Sequence, residues 1–269
     1  MTVKFGMIGG GVMGEAILSR LIAQGIYSPS DILVSDPQEQ RRAFLKDRYG
    51  VKVIADSKKF RACEVLLLAI KPQVFDSLIT QLEISGDASA RYGIVLSILA
   101  GVPLNKLEWG FPRCPVVRVM PNTPATVGAG MSAIASGKFI LPSHLELAKR
   151  IFRAVGEVVE VPEYQMDAVT GLSGSGPGYI AILIEALTDG GVYAGLPRAI
   201  ASQLALQTVL GTATLLAETG LHPAQLKDQV TSPGGTTISG IAQLERSGFR
   251  SALIEAVKAA SSRSQELGK

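Results

Sequence analysis

Two glycine-bearing loops, far apart in the chain, carry the residue types best suited to holding anions. The C-terminal one reads Val230-Thr231-Ser232-Pro233-Gly234-Gly235-Thr236-Thr237-Ile238. Its glycines free the backbone for conformations closed to other residues. Ser232 can cap and Pro233 can pre-set a first helical turn. The apolar-periodic run from Ile238 to Leu244 predicts a helix. Its unpaired N–H groups and positive dipole end form a receptor for a carboxylate or phosphate. The N-terminal loop, Gly9-Gly10-Gly11-Val12-Met13-Gly14, stands between a strand-like run and a helical one. There Gly9 allows a tight turn, Gly11 the close approach of a pyrophosphate, and Gly14 a helix–strand contact. A glycine-rich turn without a ligand is the plain alternative, and the strand–turn–helix context argues against it. Two anion cradles in one chain imply a cofactor and an acidic substrate brought together.

Other polar residues fall where a dinucleotide would pass. Asp36 ends the second strand-like run, where a carboxylate accepts hydrogen bonds from ribose hydroxyls and repels a 2′-phosphate. Arg41 and Arg42 follow within one helical turn and can offset that repulsion. Asp36 also reads as a helix N-cap ahead of Pro37, and the two roles are compatible, so NADH and NADPH both stay open. Lys71 follows the fourth strand on the edge where ligands bind, although a lone lysine there is equally a solvated one. In Met120-Pro121-Asn122-Thr123-Pro124, two prolines stiffen a loop that offers an amide at the same edge. Gly171-Leu172-Ser173-Gly174-Ser175-Gly176-Pro177-Gly178-Tyr179 has the small residues of a site-lining turn, or of a helix–helix turn. No Ser–His–Asp constellation and no paired carboxylates are visible. A hydride-transfer enzyme built this way favours an imine, which arrives protonated and electrophilic. Orientation alone then supplies much of the rate.

The elements that must hold these residues alternate. Strand-like runs at Val3–Ile8, Ile32–Ser35, Val51–Ile54, Val65–Ile70, Ile94–Ile98, Val116–Met120, Met131–Ala135 and Glu157–Val161 are separated by helical spans such as Glu15–Gln24, Gln38–Arg48 and Ser143–Val155. That grammar predicts an α/β fold with a parallel sheet of right-handed crossovers, an N-terminal Rossmann dinucleotide-binding domain over residues 1–161. After Pro162 the strands stop. Met166–Leu172, Gly178–Tyr193, Pro197–Glu218, Pro223–Val230, Ile238–Ser247 and Phe249–Glu266 read as helices, with Gly195, Gly220 and Gly248 as stops. An all-α domain over residues 162–269 results. The apolar runs Ile180–Leu187 and Ile200–Leu216 are broken by Glu185, Gln203 and Gln207 and read as buried helices, not membrane spans. Helices apolar on most faces need more burial than a small domain supplies, so a second copy of the chain is the expected partner.

Composition narrows the classes. Of 269 residues, 47% are apolar and 18% charged, enough for a substantial core and unlike a disordered chain. The net charge of +3 comes from scattered Lys and Arg, so no nucleic-acid stripe is expected. Cys63 and Cys114, without a CxxC pair, fit a reducing, cytoplasmic setting. His144 and His222 are too few and too separated for a metal site, so no metal is expected. The start Met1-Thr2-Val3-Lys4 runs straight into a strand and shows no signal peptide.

Taken together, Gly9–Gly14, Ala69-Ile70-Lys71-Pro72, Met120–Pro124, Gly171–Tyr179 and above all Lys227–Ile238 resemble the pyrroline-5-carboxylate reductase family along essentially the whole chain. The resemblance implies reduction of 1-pyrroline-5-carboxylate to L-proline with NADPH or NADH, the last step of proline synthesis. It implies a helical dimerisation domain, homodimers that some members assemble into decamers, and an active site shared between subunits. By position it implies that Thr237 hydrogen-bonds the ring nitrogen as the catalytic residue. Ser232, Gly234, Gly235 and Thr236 would cradle the carboxylate, and Gln229 stands where many relatives have an asparagine near the ligands. Cofactor contacts are implied for Gly9, Gly11, Val12, Met13, Gly14, Asp36, Ala69, Lys71, Pro72, Asn122 and Glu163. Asp36 departs from the serine or threonine common in NADPH users, and Gly178 from the usual alanine. Two other readings stand beside this one. A β-hydroxyacid dehydrogenase would place a lysine and then an asparagine in the helix after its Gly-Ser-Gly turn, and Tyr179–Thr188 contains neither. A non-catalytic dinucleotide sensor has no use for the Ser232–Thr237 cradle.

Overall fold

The apolar run Val3–Ile8 forms β1, which hydrogen-bonds on both sides to parallel neighbours. The computed structural model describes residues 3–60, 62–82, 84, 88 and 91–268, so Met1 and Thr2 lie outside the described residues. Along the chain follow α1 (Val12–Ala23), β2 (Ile32–Ser35), α2 (Glu39–Tyr49), β3 (Lys52–Ile54), β4 (Cys63–Leu68) and α3 (Phe75–Leu82). Then come β5 (Tyr92–Ser97), α4 (Leu104–Gly110), β6 (Val116–Met120), β7 (Gly130–Ser136), α5 (Pro142–Arg153) and β8 (Gly156–Glu160). The eight strands make one sheet in the order β3-β2-β1-β4-β5-β6-β7-β8. The chain reverses its direction of winding at β1 and β4, so a crevice opens at their C-terminal ends.

One strand departs from the expected parallel sheet. β7 runs antiparallel to β6, with Val119 opposite Ile134. Residues 121–129 between them hold only a short 3-10 turn, Thr123–Val127, and a parallel return needs a longer crossover.

Alternation along the strands feeds two cores, one on each face. Phe5, Met7, Val65 and Leu67 pack with Ile17, Leu18 and Leu21 of α1 and Ile151 and Phe152 of α5. Ile8, Leu66 and Leu68 pack with Phe75 and Leu78 of α3 and Leu104 and Leu107 of α4. Each such buried side chain contributes about 1.5–3 kcal/mol.

Beyond β8 the described residues are helical: α6 (Met166–Val169), a single π-turn over Thr170–Gly174, α7 (Gly176–Tyr193), α8 (Arg198–Thr219), α9 (Pro223–Gln229), α10 (Thr236–Arg246) and α11 (Phe249–Leu267). Two compact units result, Met1–Ser175 with Ala259–Lys269, and Gly176–Lys258. The change from strands to helices near Pro162 is therefore not where the first unit ends. Met166 is fully buried in the second core, and Ser264 of α11 donates to Asp167 at 2.6 Å. In the second unit α7 and α8 approach closely: a Cβ on Gly191 would lie 3.0 Å from that of Ala201. Gly195, Gly220 and Gly248 all take left-handed φ, +100°, +65° and +73°, and close helices as expected.

The expectation of buried helices is corrected for the single chain. In α8 only Ala201 and Ala205 are buried, while Leu204, Leu206 and Leu210 are more than half exposed. This helix is long and apolar enough, by length and composition, to cross a membrane.

Candidate functional site

Gly9 sits in a turn wedged between the ends of β2 and β4. Its φ is +98°, its N–H donates to Ser35 O at 2.8 Å, and a Cβ there would collide with Ala69 O. Gly14 in α1 is equally confined, since a Cβ would lie 2.6 Å from Gly9 O and 3.2 Å from Met7 Sδ. Gly11 is the opposite case: a Cβ would meet nothing within 4 Å. It is also the N-cap of α1 and makes no side-chain cap bond. The first N–H groups of α1, from Val12, Met13 and Gly14, have no intrahelical acceptor and face this open space. A diphosphate fits such a cradle, with charge and donors supplied by the helix end.

The loop is braced from α2. Arg41 donates to Gly10 O and to the Glu15 carboxylate, and Tyr49 Oη donates to Glu15 Oε1 at 2.7 Å. Burial alone would raise the Glu15 pKa. The hydrogen bonds from Arg41 and Tyr49 outweigh it and hold the carboxyl below its ordinary value.

Below the loop lies a cleft of about 340 Å³, lined by Gly9, Gly11, Asp36, Ala69 and Lys71, and by Ser35, Gln38 and Ser57. Sequence reading missed the last three. Ser35 and Gln38 flank Asp36, and Ser57 follows β3. The rule that ligands sit beyond the C-terminal strand ends would have found them once the strand order was known. Asp36 is nearly buried. Its Oδ2 accepts the Gly10 N–H at 2.8 Å and its Oδ1 the Gln38 N–H at 2.9 Å. The N-cap of α2 is Gln38, so Asp36 builds the turn before the helix and does not cap it.

Lys71 is exposed at the edge of the cleft, and Pro72 opens a 3-10 turn directly after it. Val12, Met13, Gly14, Pro72, Asn122 and Glu163 are not among the lining residues. Asn122 Nδ2 donates to Ser173 O at 3.1 Å, and its Oδ1 accepts the Met131 N–H at 2.8 Å. One side chain thus ties the β6–β7 loop to the π-turn. Glu163 Oε1 accepts the Leu104 N–H and a hydrogen bond from Arg118 at 3.3 Å. Arg118 is buried on β6 and also faces Asp167 at 4.0 Å, so Glu163 neutralises an interior cation.

In the second unit the Ser232–Gly235 segment is a β-turn closed by Gly235 N–H to Ser232 O at 3.0 Å. Pro233 takes its second position and Gly234, at φ +66°, its third, the residue pattern of a type II turn. The expected capping by Ser232 and first-turn role of Pro233 are corrected accordingly: Gly235 is the N-cap, and α10 starts two residues earlier than expected, at Thr236. A Cβ on Gly235 would collide with Ser232 Oγ, so glycine keeps that hydroxyl in place. The N–H groups of Thr236, Thr237 and Ile238 open the helix without intrahelical acceptors and without a side-chain cap. Thr237 is exposed on this first turn, and Gln229 is exposed at the end of α9.

Comparison with known proteins adds the decisive observation. The family described as "Pyrroline-5-carboxylate reductase dimerisation" matches residues 163–267, and one described as "NADP oxidoreductase coenzyme F420-dependent" matches residues 4–101. The pyrroline-5-carboxylate reductase of Synechocystis sp. is 60% identical over the full length of both chains. The chain belongs to the pyrroline-5-carboxylate reductase family. A solved member of this family from Coxiella burnetii superposes with a TM-score of 0.90 at 36% identity and full coverage of both chains. The Plasmodium falciparum pyrroline carboxylate reductase, solved with NADP bound, gives 0.88 at 30% identity, covering 99% of this chain and 98% of the other. Membership settles the architecture as a Rossmann-type dinucleotide domain followed by the family's helical dimerisation region, and the class as an oxidoreductase using NAD(P)H.

Proposed function

We propose that the chain reduces 1-pyrroline-5-carboxylate to L-proline with NAD(P)H. The observation that carries the reading is the pairing of an open, uncapped cradle over Gly11 with a second uncapped helix start at Thr236 in a family of that name.

In this reading the α1 amides and Gly9, Gly11, Val12, Met13 and Gly14 hold the pyrophosphate. Ala69, Lys71 and Pro72 flank the dinucleotide along the sheet edge. Asn122 and Glu163 act on it through the loops they fix. A reduced nicotinamide, when bound, supplies the hydride. The chain's own residues bind and orient the acceptor. Ser232, Gly234, Gly235 and Thr236 hold the carboxylate, and Gln229 closes that side. Thr237 accepts a hydrogen bond from the protonated ring nitrogen, so the imine carbon becomes the electrophile and the proton already on nitrogen stays there. Gain of one hydride by that iminium gives the neutral secondary amine ring, and no further acid is required.

Residues 162–269 serve in this reading as the dimerisation and substrate-binding domain, residues 1–161 as the dinucleotide-binding domain. The enzyme is a cytoplasmic homodimer, with decamers as the larger assembly known in the family. It uses no metal, nucleic acid or membrane.

The test is oxidation of NAD(P)H that depends on 1-pyrroline-5-carboxylate. Thr237→Ala should lower kcat by about 10- to 100-fold with the fold intact, the loss expected for one hydrogen bond to a charged group. Wild-type turnover in that variant rules out the assignment. Proline-like acids should compete, and their decarboxylated analogues should not. Proline-dependent reduction of NAD(P)+ at high pH separates this enzyme from a hydroxyacid dehydrogenase and from a dinucleotide sensor.

A further inference from the structure

A charged cluster interrupts the otherwise apolar β6. Arg118, 6% exposed, stands among the buried Val116, Val117 and Val119. Its Nη1 donates to Glu163 Oε1 at 3.3 Å, and its Nη2 lies 4.0 Å from Asp167 Oδ1. Asp167 Oδ1 also accepts the Ser264 hydroxyl at 2.6 Å, and Glu163 Oε1 accepts the Leu104 N–H that opens α4. One guanidinium thus joins β6, the start of α4, residues 163–167 and the part of α11 that belongs to the first unit. Burying charges adds little net stability, whereas removing one member leaves the others unpaired. Such a cluster therefore holds its partners in one arrangement.

What it holds leads to the ligand edge of the sheet. Three residues after Asp167 the π-turn begins, closed by Ser175 N–H to Thr170 O at 2.9 Å. The turn is seated on the last residue of β6, since a Cβ on Gly174 would lie 2.6 Å from Met120 Cε. Met120 is two residues beyond Arg118 and on the same face of the strand. A dinucleotide spans the C-terminal strand ends, with its adenosine ribose beyond β2 and its pyrophosphate over the glycine loop. Its nicotinamide half then falls on the side of β4 to β6, where this turn sits.

We propose that Arg118 is a positioning residue for the hydride transfer. Through Glu163 and Asp167, with Ser264 closing the cluster from α11, it seats the π-turn at the end of β6 beside the nicotinamide half. This deepens the proposed function and rests on the reading of the strand ends as a dinucleotide site.

Two variants of the full chain test it. Arg118→Lys keeps the charge but loses the fork that serves two acids. Ser264→Ala removes only the contact from α11. Hydrogen exchange reads the seat without turnover. In both variants the Ser175 amide should exchange about 10-fold faster, the loss of one charge-assisted hydrogen bond, while residues 9–14 keep wild-type exchange. Single-turnover oxidation of NAD(P)H by 1-pyrroline-5-carboxylate, with enzyme in excess, gives a rate constant independent of the folded fraction. It should fall about 10-fold in Arg118→Lys and less in Ser264→Ala, with Kd for NAD(P)H within about 2-fold of wild type. Thermal melts establish that each variant is folded, and Ser264→Ala, the milder change, decides should Arg118→Lys not fold. The proposal is overturned if the folded variants keep the wild-type exchange at Ser175 or the wild-type rate constant. It is equally overturned if exchange quickens at residues 9–14 as much as at Ser175, the mark of general destabilisation. A wild type that binds NAD(P)H without reducing 1-pyrroline-5-carboxylate removes the proposed reaction and Arg118's part in it. Faster exchange confined to the π-turn would then still establish the seat.

Discussion

The two anion cradles start alike and end differently. Both consist of a left-handed glycine, then a glycine N-cap, then a helix that opens without a side-chain cap. The N-terminal one is braced by its own unit and open only over Gly11. Gly9 and Gly14 pack against the backbone just after β4 and of the loop itself, Asp36 pins Gly10, and Arg41 of α2 braces it together with Glu15 of α1. The C-terminal one stands in the open. A Cβ on Gly234 would meet nothing within 4 Å, and the segment from Ser232 to Gly240 is exposed at nearly every residue. Its supporting helices share that condition, with large apolar side chains in solvent along α7, α8 and α10. The first unit lines its cleft with its own residues. The second presents an uncapped helix start in the open, within a region matched by a dimerisation family.

The comparison breaks most readily at α8. Leu206→Asp and Leu210→Asp, both at positions more than half exposed in the single chain, should leave the Rossmann unit folded and disperse the assembly. Two desolvated charges across a twofold interface cost several kcal/mol, about 3–5 per pair. Light scattering that still reports an oligomer for these variants would show that α8 is not the interface.

The glycine loop gives a sharper contrast of the next size. Gly9→Ala should cost about 1–3 kcal/mol in stability and most dinucleotide affinity, because both the left-handed φ and the Ala69 carbonyl oppose a methyl group. Gly11→Ala should melt near wild type, yet raise KM for NAD(P)H about 10-fold or more by filling the space over the helix start. Equal melting temperatures for the two variants would contradict the packing described for Gly9.

A smaller effect tests Asn122. In Asn122→Asp the acceptor for Met131 N–H survives and the donor to Ser173 O is lost, at a cost of about 1–3 kcal/mol. The expected readout is a lower kcat with KM for the dinucleotide nearly unchanged, since the residue fixes the π-turn and does not line the cleft.

The smallest effect is electrostatic. Burial opposes the charged form of Glu15, but hydrogen bonds from Arg41 and Tyr49 outweigh it and hold the folded-state pKa below its ordinary value of 4.5. A depressed carboxyl contributes stability that is present above the unfolded value and is lost as pH falls through the folded one. Acid melts of wild type and Glu15→Gln should therefore differ most above pH 4.5 and converge as pH falls further below it.

Much of this was legible in the residues. Most sheet strands announced themselves as apolar runs between glycine, proline and polar breaks; β2 and β6 fall where the pattern puts them, Ile32–Ser35 and Val116–Met120. The glycine fingerprint was legible because conformation and close approach exclude other residues at Gly9 and Gly14. Less legible were partners distant in sequence. That Asn122 spends its amide on Ser173 and Met131, or Glu163 its carboxylate on Leu104 and Arg118, needs the fold to bring those groups together.

The sequence by itself determined the elements and the two loops. Local propensities, glycine conformations and the strand-to-helix change at Pro162 depend only on neighbours along the chain. Tertiary structure alone decided the antiparallel β7, the return of Ala259–Lys269 to the first unit, and the Gly10 amide that Asp36 meets. Each of those turns on contacts between residues that no local pattern relates. A carboxylate or a guanidinium is assigned its work by whichever donor or acceptor the fold sets within about 3 Å of it.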